Sequence, residues 1–161
     1  MSTRLADLLN VYNCCPSGNI AANEDIFNGD PASDILSLAR YEEVLFVIVK
    51  SAGATGTATI TVESCDDTTP TTSTAIAFAY KVSTSGNTWG NWADATSSGF
   101  VTTAGANQAY MVSVRAEGLN NSDNYVRLQA TEVVDSACDG AILSLGLNPR
   151  YAKNVQMEMI T

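Results

Sequence analysis

The sequence predicts an all-β fold, a jelly-roll-like antiparallel β-sandwich of about eight strands with an N-terminal helix and arm and an extended C-terminal tail. Ser33–Cys65 holds three short apolar runs with only short segments between them. Alternation of apolar and polar residues, typical of half-buried strands, recurs from there to residue 147. Aromatic residues make up 7% and charged residues 16% of the 161 residues, which suits a sandwich formed as one domain.

Residues 1–32 are predicted to form a short helix and an extended arm. The helix begins after Ser2 or Thr3 and spans two to three turns, which is marginal in isolation, so its apolar side should dock on another surface. Its apolar residues at helical spacing are Leu5, Leu8, Leu9 and Tyr12. The arm carries prolines and glycines without a sustained period. Its apolar residues, which also need partners, are Ile20, Ile26 and Phe27.

Residues 33–147 are predicted to form the sandwich. Val44–Val49 is a continuous, β-branched apolar run, too short for an ordinary buried helix, so we expect a strand covered on both faces. Thr57–Glu63 alternates strictly and predicts a half-buried strand. Asn120–Asn124 is a strong turn signal. The other predicted strands are Ile35–Leu38, Ala75–Lys81, Ala109–Arg115, Tyr125–Val133 and Ala141–Leu147.

Residues 148–161 are predicted to form an extended tail, because Pro149 stops the last strand. Free termini usually fray, so we expect contacts to hold this segment. Its apolar residues are Val155, Met157, Met159 and Ile160.

Charge and hydropathy exclude several classes of partner. Eight Lys and Arg stand against seventeen Asp and Glu, a net charge of -9, which disfavours direct nucleic-acid binding. No apolar run approaches the roughly 18–20 residues of a membrane-spanning helix. The first residues lack the long apolar region of a secretory signal, so secretion is not expected.

The four cysteines are expected to be reduced. Cys14 and Cys15 are adjacent, while Cys65 and Cys138 are isolated, and this spacing does not suit a zinc site. A Cys65–Cys138 bridge stays open, because sequence does not set the Cα separation that a disulfide needs.

No enzyme, metal or cofactor is predicted. The chain has no histidine, which removes the usual general base and every Ser-His or Cys-His nucleophile pair. Asp66–Asp67 and Asn120–Asn124 are interpreted as solvated turns, in preference to a catalytic dyad or a calcium loop. Trp89 and Trp92 remain: paired indoles either stack on sugar rings or pack at a loop and an interface, and the second interpretation is favoured.

A series of short motifs runs through most of the chain, from Arg4 to Tyr151. Its pieces, in order, are the opening RLADLLNVYN, Ser33–Asp34, Ser37–Leu38, Tyr41, Val44, Val47–Ile48, Gly53, Thr59–Ile60–Thr61, Asp66, Tyr110, Val126–Arg127 and Pro149–Arg150–Tyr151. The series resembles capsid decoration (cement) proteins encoded beside the major capsid gene of tailed bacteriophages. The loop 66–74 departs from the family by lacking a Gly-Thr after the aspartate, and the segment after Tyr151 is longer.

This resemblance implies a protein made in the host cytoplasm that binds the outside of the mature virion head. It would bridge neighbouring capsomers and stabilise the shell against the pressure of packaged DNA. Its partners would be the major capsid protein and other copies of itself, as a dimer or trimer. The expected contact residues are Leu5, Leu8, Leu9, Tyr12, Ile20, Ile26, Phe27, Trp89, Trp92, Arg150, Tyr151, Val155, Met157, Met159 and Ile160. The alternatives are a carbohydrate- or host-surface-binding module using the two tryptophans, and a head–tail connector or tail component.

Overall fold

The computed structural model describes residues 10–15, 25–51, 55–83, 88–120, 122–150 and 159–160. These residues form an all-β fold with two antiparallel sheets, as the sequence predicts. The strands are β1 (Asn10–Asn13), β2 (Ile35–Ser37), β3 (Tyr41–Lys50), β4 (Thr57–Cys65), β5 (Ser73–Ile76), β6 (Phe78–Ser83), β7 (Ala93–Ala95), β8 (Phe100–Val101), β9 (Ala109–Arg115), β10 (Tyr125–Val134), β11 (Gly140–Pro149) and β12 (Met159–Ile160). One 3₁₀ turn, Ala116–Gly118, follows β9.

The first sheet has the strand order β1-β11-β3-β9-β6-β7, and the second has the order β12-β2-β10-β4-β5, with β8 also paired to β4. Most consecutive strands lie in different sheets, so the chain passes repeatedly from one sheet to the other. The two longest ladders join β11 to β3 and β10 to β4. Both sheets are therefore built mainly from strands far apart in sequence.

A single core lies between the two sheets. Every second residue of the central strands is buried in it, including Phe46 and Ile48 from β3 and Ile60 and Val62 from β4. Alternation at period two places these side chains on the inner face of each strand. Complete burial of each such side chain contributes about 1.5–3 kcal/mol to stability. This core forms although only 7% of the residues are aromatic.

The predicted strand Ala75–Lys81 is in fact two strands in different sheets. β5 pairs with β4 in the second sheet, and β6 pairs with β9 in the first, with the break at Ala77. Ile76 and Phe78 are both buried, so the alternation continues across the break and hides it. The short strands β1, β7, β8 and β12 raise the strand number above the expected eight.

The N-terminal helix prediction is wrong at its last position. Tyr12 lies in β1, which pairs with the edge of β11 through Tyr12 and Ser144. An open sheet edge offers a full row of backbone hydrogen bonds, and here it outweighs the weak helical period of a short segment. Leu5, Leu8 and Leu9 lie outside the described residues.

Two arm residues expected at an interface are core residues instead. Ile26 and Phe27 are completely buried, and the Ile26 amide donates to the Cys138 carbonyl oxygen at 3.0 Å. The described end of the arm, residues 25–32, thus packs on the chain's own sheets, because Ile26 and Phe27 fill space in the core. Ile20 falls in a stretch that is not described.

The C-terminal segment also returns to the fold in part. β11 extends to Pro149, two residues beyond its predicted end, and the Arg150 amide donates to the Arg40 carbonyl oxygen at 2.9 Å. Met159 and Ile160 form β12, which pairs with β2, so a fully extended tail is not what the described residues show. Tyr151, Val155 and Met157 lie outside the described residues.

All four cysteines are free and buried, so Cys65 and Cys138 are not bridged. Among the residues that the structure describes, no helix has the length and apolar character needed to cross a membrane.

Candidate functional site

The outer face of the first sheet carries a broad apolar surface. Strand register aligns Leu145 of β11 with Val11 of β1 on one side and Leu45 of β3 on the other. We call this surface the leucine face. Its members are Val11, Leu45, Val47, Val49, Ala109, Met111, Ala141, Leu143, Leu145 and Leu147.

The leucine face is not a by-product of core packing. In β11 the inward positions include Ser144 and Gly146, whereas the leucines occupy the outward positions. Ser144 accepts a hydrogen bond from the Cys14 thiol at 3.2 Å, and Gly146 leaves room for the Tyr41 ring. Except for Ile142, which is buried in the core, the bulky side chains of this strand therefore point away from the core. Apolar surface of this kind often marks a contact site.

The prediction that Val44–Val49 is covered on both faces is wrong for the described residues. Val44, Phe46 and Ile48 are fully buried on the inner side, but Val49 is 40% exposed on the outer side. Val11, in the neighbouring part of the face, is 57% exposed. The unbroken apolar run thus reflects one core side and one side without a cover among these residues.

The charged residues of this outer face balance one another. Glu43 and Arg115 lie opposite each other in the β3–β9 ladder, at the end of the leucine face. Lys81 and Asp94 lie on β6 and β7, beyond Met111 and Ala79. Within the strands, two acidic and two basic side chains thus balance, although the whole chain carries -9. Glu117, in the turn after β9, pairs with Arg115 at 3.5 Å and adds one negative charge beside the face.

A cleft of about 540 Å³ opens beside the leucine face, over β6, β7 and β9. Trp92, which is 50% exposed, forms one wall. The polar side chains that line the cleft are Glu43, Asp94, Ser113, Arg115 and Glu117. Ser113 donates to Glu43 Oε1 at 2.5 Å, which holds that carboxylate in place.

Lys81 positions the two indoles. Its Nζ lies 5.2 Å from the Trp89 ring centroid and 5.0 Å from the Trp92 ring centroid, within range of cation–π attraction to both. The sequence-predicted pair Trp89 and Trp92 is therefore brought together, with a cation between the rings. The attraction to Lys81 favours this position of the Trp92 ring at the wall of the cleft.

Arg150 lies in a second, more polar cleft of about 410 Å³. Glu42, Glu43 and Asn148 share its lining. Of the predicted contact residues that the structure describes, Arg150, Trp89 and Trp92 thus reach the surface, whereas Ile26 and Phe27 do not.

The buried ionisable groups serve the fold. Lys50 is 1% exposed, and its Nζ donates to the carbonyl oxygens of Gly56 at 2.9 Å and Thr103 at 2.8 Å. Burial lowers the pKa of Lys50, and the nearby Cys138 raises it by a smaller amount. Burial raises the pKa of Cys138 to about 11, so this thiol stays protonated at neutral pH and is a poor nucleophile.

The described part of the chain contains no group of three or more Cys, Asp or Glu side chains placed to hold a metal ion. The Asp123 carboxylate instead stabilises the fold, since its Oδ2 accepts a hydrogen bond from the Ser64 hydroxyl at 2.7 Å. The turn predicted at Asn120–Asn124 is confirmed by the Asp123 amide, which donates to the Asn120 carbonyl oxygen at 2.9 Å.

Sequence reasoning missed the leucine face, although a signal for it was present. The segment Ala141–Leu147 alternates leucine with serine and glycine, so its larger residues share one side. Pairing of that side with the outward residues of Val44–Val49 was not visible without the strand order.

Comparisons with protein-family models, with curated proteins and with solved structures found no match to this chain.

Proposed function

We propose that this chain is a capsid decoration protein that binds the outer surface of a mature phage head, bridges neighbouring capsomers and stabilises the shell against DNA pressure. The observation that carries the proposal is the leucine face, a broad apolar sheet surface on a small acidic chain. Such a surface suits a protein that works by adhesion. The resemblance of the motif series to decoration proteins supplies the identity of the structure to which it adheres.

The course of the chain also supports the finer fold description. Strands alternate between the two sheets along most of the sequence, which is how a jelly-roll-like topology is built. Decoration proteins add modest contacts at many lattice sites, and simultaneous engagement converts these into strong retention. Contacts made only with the mature shell stabilise that state by linkage.

The sequence suggested that the chain adheres through its N-terminal arm and C-terminal tail, and the proposed mode of adhesion differs from this. Ile26, Phe27 and β12 belong to the chain's own fold, so the contacts expected of them would be made by the sheets instead: the leucine face is available to join copies of the chain, and the other sheet surfaces and edges are available to the shell. Contacts with the major capsid protein or another copy stay predicted for Leu5, Leu8, Leu9, Ile20, Tyr151, Val155 and Met157.

The test uses heads of the virus that encodes the chain, assembled with and without it. We expect electron microscopy to show the chain on the head exterior. We also expect heads that carry the chain to release DNA at a higher temperature than heads without it. Absence from the particle would overturn the proposal. Localisation in a ring at the head–tail junction would replace it with a connector or tail role.

A second candidate function, binding of a saccharide or host surface, is favoured by the cleft at Trp92. An indole held in place beside carboxylates, a hydroxyl and a guanidinium combines a stacking platform with hydrogen-bonding groups for sugar hydroxyls. A glycan array followed by a tryptophan fluorescence titration tests it. Trp92→Ala should weaken binding at least about tenfold, a loss of about 1.4 kcal/mol, while Val101→Ala on β8 should not. If Trp92→Ala binds saccharide as tightly as the wild-type chain, or if the wild-type chain binds no saccharide, the cleft is excluded as a saccharide site.

A further inference from the structure

We propose that the leucine face is the contact between two copies of this chain, packed sheet against sheet. This deepens the proposed function by naming the surface through which copies associate, and it requires no contact with a shell. The proposal of a two-copy contact depends on three properties of the leucine face: its size, its charge and its shape.

The size of the face fits a reversible dimer. It spans four neighbouring strands, β1, β11, β3 and β9. With strands about 4.8 Å apart and outward residues about 6.8 Å apart along each strand, the ten members cover roughly 330 Å². Apolar patches of this size on a monomer are often interaction sites. A standard stable interface buries about 800 Å² per partner, so we expect dissociation in the micromolar range.

The charge of the face favours a second copy over an oppositely charged partner. Two chains that each carry -9 repel one another over most of their surfaces. Within the strands, the outer face of the first sheet is balanced, with Glu43 and Asp94 offset by Arg115 and Lys81. None of the ten members of the leucine face is charged. A basic partner would find nothing to attract it there, whereas an identical copy meets no like charge.

The shape of the face suits two-fold symmetry. Two such sheets can stack about 10 Å apart with strands aligned within about 30°, as the two sheets of a sandwich do. A two-fold contact uses the same patch on both copies and closes on itself, so it does not propagate into fibres. Leu145, with Val11 and Leu45 on either side, lies in the middle row of the face and would be deeply buried.

The experiment is sedimentation velocity of the full chain at concentrations from about 1 μM to about 500 μM, a range that brackets a micromolar dissociation constant. We expect the mass of one chain at the lowest concentration and twice that mass at the highest. Leu145→Lys should raise the dissociation constant at least about 100-fold, because it buries an unpaired ammonium. Val11→Lys should act in the same direction with less risk to folding, since Val11 is already 57% exposed.

Val101→Lys is the matched control. Val101 is 58% exposed on β8 of the second sheet, so the same change there should leave the dissociation constant unaltered. Circular dichroism and thermal melting check that each variant is folded. If Leu145→Lys fails to fold, Val11→Lys alone decides the outcome.

Several results would overturn the inference. One is a wild-type chain of single-chain mass at every concentration, and another is unaltered association of folded Val11→Lys and Leu145→Lys. If the full chain is monomeric and dimerises only after residues 1–9 are removed, the leucine face binds the chain's own N-terminal segment and the inference is wrong. If the chain is monomeric but is found on heads, the dimer is excluded and the decoration function is retained. If the chain dimerises but is absent from heads, the dimer is retained and the decoration function is excluded.

Discussion

Tyr110→Phe should destabilise the fold by removing a buried hydroxyl that bridges the two ends of the loop between β8 and β9. Tyr110 is 1% exposed, and its hydroxyl donates to Gln108 Oε1 at 2.9 Å and accepts from the Thr103 amide at 2.8 Å. The Thr103 carbonyl oxygen in turn accepts from Lys50 Nζ. The substitution keeps the ring, which packs 5.6 Å from the Phe100 ring centroid, so packing is preserved and only the polar contacts are lost.

The magnitude follows from the two hydrogen bonds. Loss of a hydrogen bond costs about 1 kcal/mol when the remaining partner can bond to water, and about 1–3 kcal/mol when that partner stays buried and unsatisfied. Gln108 is 6% exposed, so its side-chain oxygen finds no easy substitute, whereas the exposed Thr103 can recruit water. We therefore expect a loss of about 2–4 kcal/mol in the free energy of unfolding, and a Tm lowered by about 5–15 °C.

Urea unfolding at one fixed protein concentration measures the effect, because association would otherwise alter apparent stability. Tyr80→Phe is the matched control. Tyr80 stacks on Phe100 at 4.1 Å between ring centroids, and no described residue hydrogen-bonds to its hydroxyl. It should change the free energy of unfolding by less than about 0.5 kcal/mol. A Tyr110→Phe effect no larger than that of Tyr80→Phe would refute the reasoning.

Two further predictions concern the core. Gly146→Ala should cost about 1–3 kcal/mol, since its Cβ would lie 2.9 Å from the buried Tyr41 ring, while Gly118→Ala, with no atom within 4 Å, should be neutral in the same urea assay. Burial raises the pKa of the thiols of Cys14, Cys65 and Cys138 from 9.0 to about 11. The folded chain therefore keeps these protons longer than the unfolded chain, so their stabilisation is complete below pH 9 and is lost as pH rises through about 11. Each thiol contributes up to about 3 kcal/mol, and the lowered pKa of Lys50 acts in the opposite direction. Stability that stays level from pH 8 to pH 11 would contradict this.

The fold class was accessible from the sequence because burial patterns are local. Strict alternation in Thr57–Glu63 and Ala109–Arg115 predicts strands that the structure confirms as parts of β4 and β9. The break at Ala77 was not accessible, because hydrogen-bond partners change there without any change in the buried side. The position of β1 was missed for a related reason: Tyr12 pairs with Ser144, so a sheet edge near the other end of the chain determined its conformation.

The candidate site was only partly accessible. Two tryptophans close in sequence suggested a functional surface, and Lys81 does bring them together. The leucine face needed the register of four strands, since seven of its ten members come from β11 and β3, which are far apart in the chain. The sequence shows which residues are apolar and favour burial. It does not show whether the same chain or another molecule buries them.

The passage of the chain from one sheet to the other at most connections has a consequence for how the protein forms. β1 needs β11, and β2 needs β10, so neither sheet can be completed while the chain is still short. Loops of this length must close before their contacts stabilise anything, which places folding in the slow, milliseconds-to-seconds range. During that interval the outward leucines are exposed beside unpaired strand edges, so rapid synthesis at high concentration should favour aggregation over the native state.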